Sequence, residues 1–258
     1  MVELAPHNAY GLALANPVLI AAGCAGYADT RGLQRHAGVG AIVTADIALQ
    51  SSRAAIPHPA ETAAGLVWPV PWRVRSLRRT REQYAAAWAA SETPLLLSIV
   101  ADHTAVATAI EGLPGIAGLE LGFADIATAA RIVAAVRAVT LLPLLVRVPA
   151  ACATPDTARA LLAAGADAIT LVVHAPAALP GATGVLMGPA TFATLYAAVS
   201  ILAPALDAPL IAAGGIATTA DARSLLAAGA SAVQIGSALL ADPGAAVRIA
   251  TALSPVIP

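Results

Sequence analysis

The chain alternates short apolar runs with longer Ala-rich stretches of helical character. The runs are Val18–Ala22, Ala41–Thr44, Leu95–Val100, Gly118–Leu121, Leu144–Val148, Ala168–Val173, Leu210–Ala213 and Ala232–Ile235. Each is apolar at nearly every position, so neither pleat face is marked for water. That pattern predicts parallel strands covered on both sides. The predicted helices between and after them are Asp29–Ala37, Arg79–Ser91, Thr104–Glu111, Asp125–Ala138, Thr154–Ala164, Thr191–Leu202, Thr219–Ala228 and Pro243–Leu253. Several open on Thr or Asp, whose side chains accept the unpaired N–H groups of a first turn. The fifth and seventh end in the same phrase, Leu-Leu-Ala-Ala-Gly-Ala (161–166 and 225–230), and Gly165 and Gly229 suit the left-handed residue that closes a helix.

Eight strand–helix units in 258 residues match one barrel of about 250 residues. The reading is an α/β chain folded as a (β/α)8 TIM barrel, a single domain over residues 1–258. One connection, residues 45–78, is long. It carries Pro57, Pro59, Pro69, Pro71, Trp68 and Trp72, and the basic group Arg73, Arg75, Arg78 and Arg79. Loops that follow barrel strands lie over the active-site mouth, so this segment reads as a lid or substrate loop. A surface or dimer-contact loop is the plainer alternative.

Composition narrows the partners. Hydrophobic residues make up 59% of the chain and charged ones 11%. A large dry core follows, with a charge-poor surface that favours self-association over a lone monomer. The net charge of −1 offers nothing to nucleic acid or an anionic membrane. Mean hydropathy is +0.78, yet Pro143, Arg147, Pro204, Asp207 and Pro209 cut the apolar stretches below the ~20 residues of a membrane span. Glu3, with no basic residue before the first apolar stretch, argues against a signal peptide. Cys24 and Cys152 are isolated and lack metal-ligand spacing, which suits a cytoplasmic protein with no metal. All 14 basic residues are arginine, so any mechanism that needs lysine is excluded.

The sharpest chemical signal lies in the last two strands. Ile211-Ala-Ala-Gly-Gly-Ile216 ends a strand in two glycines, and Gln234-Ile-Gly-Ser-Ala238 repeats the device before a helical turn. Glycine lets the backbone approach an anion, and N–H groups at a helix start point towards it. Phosphate sites of these barrels commonly follow strands seven and eight.

Those residues, with others, carry a family resemblance. Asn16-Pro-Val-Leu-Ile-Ala-Ala-Gly23 with Gly26-Tyr27, Gly40-Ala-Ile-Val-Thr44, Glu61-Thr-Ala-Ala-Gly65, Ala164-Gly-Ala-Asp-Ala-Ile-Thr-Leu171, Gly188-Pro-Ala190, Gly214-Gly-Ile216 and Ala230-Ser-Ala-Val-Gln-Ile-Gly236 occur in the family's order. Over nearly its whole length the chain resembles the soluble, FMN-dependent dihydroorotate dehydrogenase family. The resemblance implies an FMN whose phosphate meets the amides of Gly214, Gly215, Gly236 and Ser237. Its ring would lie near Ala22, Gly23 and Thr44, with Arg147 and Gly188 also in contact. It further implies oxidation of dihydroorotate to orotate, a step of pyrimidine biosynthesis, in a homodimer.

The departures fall where the family's chemistry sits. The lysine expected after Thr44 is Ala45, followed by Asp46; the asparagine expected after Gly65-Leu-Val67 is Trp68. The Asn-x-Ser-Cys-Pro-Asn motif that brings the base is replaced by Gly122-Phe-Ala-Asp125. Strand five has Arg147 in place of lysine, and strand six ends in Val173 in place of asparagine. The amides that would pair with orotate's polar edge are thus missing, and so is the base.

Substitutes are Arg147, whose charge is permanent, His174 at the end of strand six, and Asp46 at the rim. Asp125 reads as a helix cap, and Asp46 and Asp102 as solvated turn residues. Cys24 reads as a small buried thiol, with a place near the flavin as the alternative, and Glu120, inside strand four, as the partner of Arg147. Trp68 and Trp72 read either as a stacking surface for a ligand or as packing of the lid on the rim. Three functions stay open: an FMN oxidoreductase of the dihydroorotate dehydrogenase type, with its own or a drifted substrate; a flavin-free lyase or isomerase for a phosphorylated small molecule, using Asp46, Glu120 or His174; and a non-catalytic FMN- or phosphate-binding barrel.

Overall fold

The computed structural model describes residues 1–52, 58–70 and 72–254; Pro57 and Pro71 lie outside these. Eight parallel strands close on themselves: β1 (Val18–Ile20), β2 (Ala41–Val43), β3 (Leu95–Ile99), β4 (Ile116–Leu121), β5 (Leu144–Pro149), β6 (Ala168–Val172), β7 (Leu210–Ala213) and β8 (Ala232–Ile235). Each pairs with its successor, and β8 returns to β1 with Val233 beside Val18. Around them run α1 (Thr30–Arg35), α2 (Leu77–Ala89), α3 (His103–Ile110), α4 (Ala129–Arg137), α5 (Pro155–Ala163), α6 (Phe192–Leu202), α7 (Thr219–Ala227), the short α8 (Ala238–Ala241) and α9 (Ala245–Leu253). The (β/α)8 expectation is met strand for strand.

The local signals act as read. Asp29 and Thr154 cap α1 and α5 through their side chains, and Thr218 and Asp221 form a reciprocal capping box on α7. Gly165 and Gly229 take φ of +105° and +104° just past α5 and α7.

Strand alternation divides the core in two. Outward residues such as Val18, Ile20, Leu95, Leu97, Leu144 and Val146 pack under the helices. The inward set, Leu19, Ala41, Val43, Leu96, Leu145, Ala168, Ile211 and Ala232, forms a second cluster with Leu4, Leu12 and Leu14. The last three come from a small hairpin, Val2–Glu3 against Ala13–Leu14, that packs onto this inner cluster. Strands of two residues carry no readable period, so the sequence offers no sign of this hairpin.

The long connection is more ordered than a loop. Ala60–Thr62 and Gly65–Pro69 form antiparallel strands. Gly65–Pro69 then pairs with Ala182–Met187, which pairs with Ala175–Leu179. This four-stranded sheet joins the connection after β2 to the one after β6, and Trp68 and Met187 from it reach the mouth cavity.

Candidate functional site

Two strand positions beyond the apolar inner set, the barrel interior turns polar. Ser98 follows Leu96, Glu120 follows Gly118, Arg147 follows Leu145, Thr170 follows Ala168 and Gln234 follows Ala232, each by two residues. All five are buried. Because side chains two apart share a face, these five project inward as one layer at the C-terminal end of the barrel, the end where such barrels do their chemistry. A polar residue recurring at equivalent positions of five apolar strands was the signal available in the sequence for this layer.

Arg147 is its centre. Its Nη2 donates to Asp46 Oδ1 at 3.0 Å and to Ser98 Oγ at 2.9 Å, and Ser98 Oγ donates to Asp46 Oδ1 at 2.6 Å. On its other side Nε lies 3.5 Å from Glu120 Oε2. Glu120 Oε1 accepts from Thr170 Oγ1 at 3.2 Å and from Gln234 Nε2. Gly122 makes room for the guanidinium, since a Cβ there would stand 2.4 Å from Nη2. The partnership of Glu120 with Arg147 is as expected. Asp46 is not the solvated turn residue expected of it: it is 8% exposed and ion-paired across the barrel.

Burial and charge oppose one another here. Desolvation pushes the fully buried Glu120 carboxyl above its ordinary range, and Arg147 only partly pulls it back. Burial alone would lower Arg147, but the Asp46 and Glu120 carboxylates outweigh it and hold the guanidinium above its usual value. A permanent cation is therefore kept in the barrel interior by two acidic side chains.

The glycine turns after β7 and β8 border one small pocket of about 120 Å3, lined by Gly214, Gly215, Gly236, Ser237, Gly188 and His174 among others. Among the described residues, no protein acceptor takes the N–H of Gly214, Gly215, Gly236 or Ser237. Gly214 and Gly215 have φ of +142° and +67°, and a Cβ on Gly215 would stand 2.5 Å from the Phe192 nitrogen. Ala22 and Arg147 line this pocket and also a larger cavity of about 820 Å3 beside it, where Gly23 joins them. Thr44 lines neither. It is fully buried, its carbonyl accepting from Gly23 N–H at 3.3 Å and its hydroxyl from Ser98 N–H at 3.1 Å, so it supports the wall from behind.

The remaining candidates are distributed as follows. His174 lies edge-on to Trp72, ring centroids 5.1 Å apart, and burial with the nearby Arg147 charge lowers its pKa below the ordinary histidine value. A neutral imidazole thus borders the phosphate-sized pocket. Trp68 and Trp72 both line the larger cavity. Cys24 corrects an expectation: it is an accessible residue on the wall of both pockets. The protein around the open cavity still desolvates the thiol, which is pushed up to about 11, so the uncharged thiol is its resting form. Asp125 caps the turn before α4 through Ala127 N–H, as expected, and Asp102 is an exposed turn residue accepting from Leu49 N–H. No cluster of three metal-binding side chains occurs among the described residues.

A family model described as nitronate monooxygenase matches residues 122–255, the half that holds both glycine turns. The catalytic subunit of dihydroorotate dehydrogenase B (NAD(+)) from Desulforudis audaxviator is 32% identical over 274 aligned residues, covering 94% of this chain and 89% of that protein. The chain belongs to the dihydroorotate dehydrogenase family. The corresponding subunits of Geotalea uraniireducens and Citrifermentans bemidjiense are 29% and 30% identical, each over 93% of this chain and 88% of theirs. The family's cofactor, FMN, is therefore expected here, and the unpaired amides at the 120 Å3 pocket suit its phosphate. No helix among the described residues is long and apolar enough to cross a membrane.

Proposed function

We propose that this protein is an FMN-dependent oxidoreductase of the dihydroorotate dehydrogenase family whose own substrate is not dihydroorotate. The observation that carries the flavin half is the shared pocket: two glycine turns, from different strands, line one small space with residues whose amides no protein acceptor takes among the described residues, and that space adjoins a much larger cavity. Gly214, Gly215, Gly236 and Ser237 would hold the phosphate, Gly188 and His174 would close its pocket, and Ala22, Gly23 and Arg147 would flank the ring. FMN bound there supplies two-electron, hydride-accepting chemistry.

The chain's own residues prepare that chemistry. Asp46 and Ser98 orient the Arg147 guanidinium, and its positive charge favours electron-rich species beside it. Glu120 holds the same guanidinium from below. The two tryptophans and Met187 thin the water over the mouth. His174, its pKa lowered by burial and by the Arg147 charge, can accept a proton or a hydrogen bond at the pocket edge. The family's base has no equivalent: Gly122-Phe123-Ala124-Asp125 stands at its place, with Asp125 spent on a helix cap. The family resemblance suggests a homodimer, with which the charge-poor composition is compatible, and the isolated cysteines support a cytoplasmic location.

The test is spectroscopic. Purified protein should be yellow, absorbing near ~450 nm as bound flavin does, and anaerobic dihydroorotate should bleach it slowly or not at all. A colourless protein that refuses added FMN would overturn the flavin reading. Rapid bleaching would instead show that Arg147 and His174 suffice for the family's reaction.

A further inference from the structure

The larger cavity has a composition that says what it accepts. Trp68, Pro69 and Met187 of the mouth sheet, Val70 and Trp72 beyond its strand Gly65–Pro69, and Leu239 of α8 supply apolar surface. Among the described residues that line it, no side chain is Asn or Gln. A pyrimidinedione such as orotate presents ring N–H and C=O groups along its edges. Besides two arginines the cavity's polar side chains are Cys24, Asp46, His58, Thr183 and Ser237, so each ring group that reaches none of these loses water unpaired, at a cost of about 1–3 kcal/mol. A hydrocarbon ring loses nothing of that kind.

Two cations line the cavity, Arg73 and Arg147. They are not equivalent. Arg147 is committed to Asp46 and Glu120. Arg73 makes no ion pair among the described residues and stands beside Trp72 in the sequence. Its fork of N–H donors matches a carboxylate. Apolar walls with one uncommitted guanidinium suit a molecule with an apolar ring and a single acid group.

We propose that the cavity binds an aromatic or similarly apolar monocarboxylate, with Arg73 as the residue that recognises its carboxylate and the Trp68, Trp72 and Met187 surface receiving its ring. This rests on the flavin reading, since the ligand would share the cavity with the cofactor. Trp68, from the strand Gly65–Pro69, is part of that apolar wall.

Isothermal titration calorimetry on the FMN-loaded protein, with phenylacetate, phenylacetamide and orotate as probes, tests the assignment. Phenylacetate should bind at least ~10-fold more tightly than either other probe, because the amide lacks the charge and orotate lacks partners. Arg73→Gln should weaken phenylacetate about 10-fold and leave phenylacetamide unchanged, while Arg73→Lys should restore part of the loss. Equal binding of acid and amide, orotate binding as tightly as phenylacetate, or no measurable binding of phenylacetate overturns the proposal. The wild-type ranking of probes stands even if an Arg73 variant fails to fold. The flavin absorbance of the same sample is read separately: absence of FMN defeats the oxidoreductase reading, whereas a flavin-loaded protein that prefers orotate defeats this one alone.

Discussion

Arg147 illustrates how much one buried charge can organise. Asp46, Ser98 and Glu120 converge on it from the loop after β2, from β3 and from β4, and its Nη2 alone bonds two of them. Removing the cation leaves two carboxylates in the barrel interior without a counter-charge. Arg147→Met should therefore cost about 3–5 kcal/mol, read as a lowered urea midpoint. Gly215 sets a second residue-scale constraint, through its φ of +67° and the Phe192 backbone 2.5 Å from any added Cβ. Gly215→Ala should lose about 1–3 kcal/mol and, because the turn must shift, should purify with less than the wild-type flavin absorbance. Retention of full flavin content in that variant would remove Gly215 from the phosphate site.

At the scale of elements, the barrel and the mouth sheet make separable contributions. The barrel is closed by parallel ladders that the apolar runs foreshadow. The mouth sheet is assembled from two connections, and its central pair depends on a close backbone approach: a Cβ at Gly184 would stand 1.9 Å from the Trp68 carbonyl oxygen. Gly184→Ala should pry that pair apart while leaving the eight-stranded core intact. The expected result is faster amide exchange at Val67 and Leu186 and weaker ligand binding in the cavity, with a urea midpoint that moves little. A collapse of global stability instead would mean that the mouth sheet is part of the barrel's cooperative unit.

For the whole molecule, buried titratable groups set the pH response. His36, His103 and His174 are all lowered, each chiefly by burial. The unfolded chain protonates these rings near ~6.5, before the folded protein can, so stability present above that pH is lost as pH falls through it. Glu120 works in the opposite sense: its raised carboxyl contributes stability below the ordinary carboxylate range that is lost as pH rises through its folded value. Unfolding free energies measured from pH 5 to 8 should fall less on the acid side in His174→Gln than in the wild type. In a series begun below the ordinary carboxylate pKa of ~4.5, Glu120→Gln should lose the decline that the wild type shows on rising pH.

Several features of this protein were legible along the chain. Strand and helix periods, the caps at Asp29 and Thr154, the left-handed closures at Gly165 and Gly229 and the two glycine turns after β7 and β8 all arise from near neighbours, where local sterics and burial period act directly. The pairing of Glu120 with Arg147 was readable for the same reason, because adjacent strands of a parallel barrel place them side by side. Partners far apart in sequence were decided by closure of the barrel. Asp46 meets Arg147 101 residues away and Glu120 meets Gln234 114 residues away, across a diameter that no local pattern encodes. Asp46 therefore read as a turn residue, and Cys24 as a buried thiol, until the cylinder fixed which way each faced. The mouth sheet has the same origin: Trp68 pairs with Val185 because β2 and β6 end at one rim, and that rim exists only once eight strands have closed.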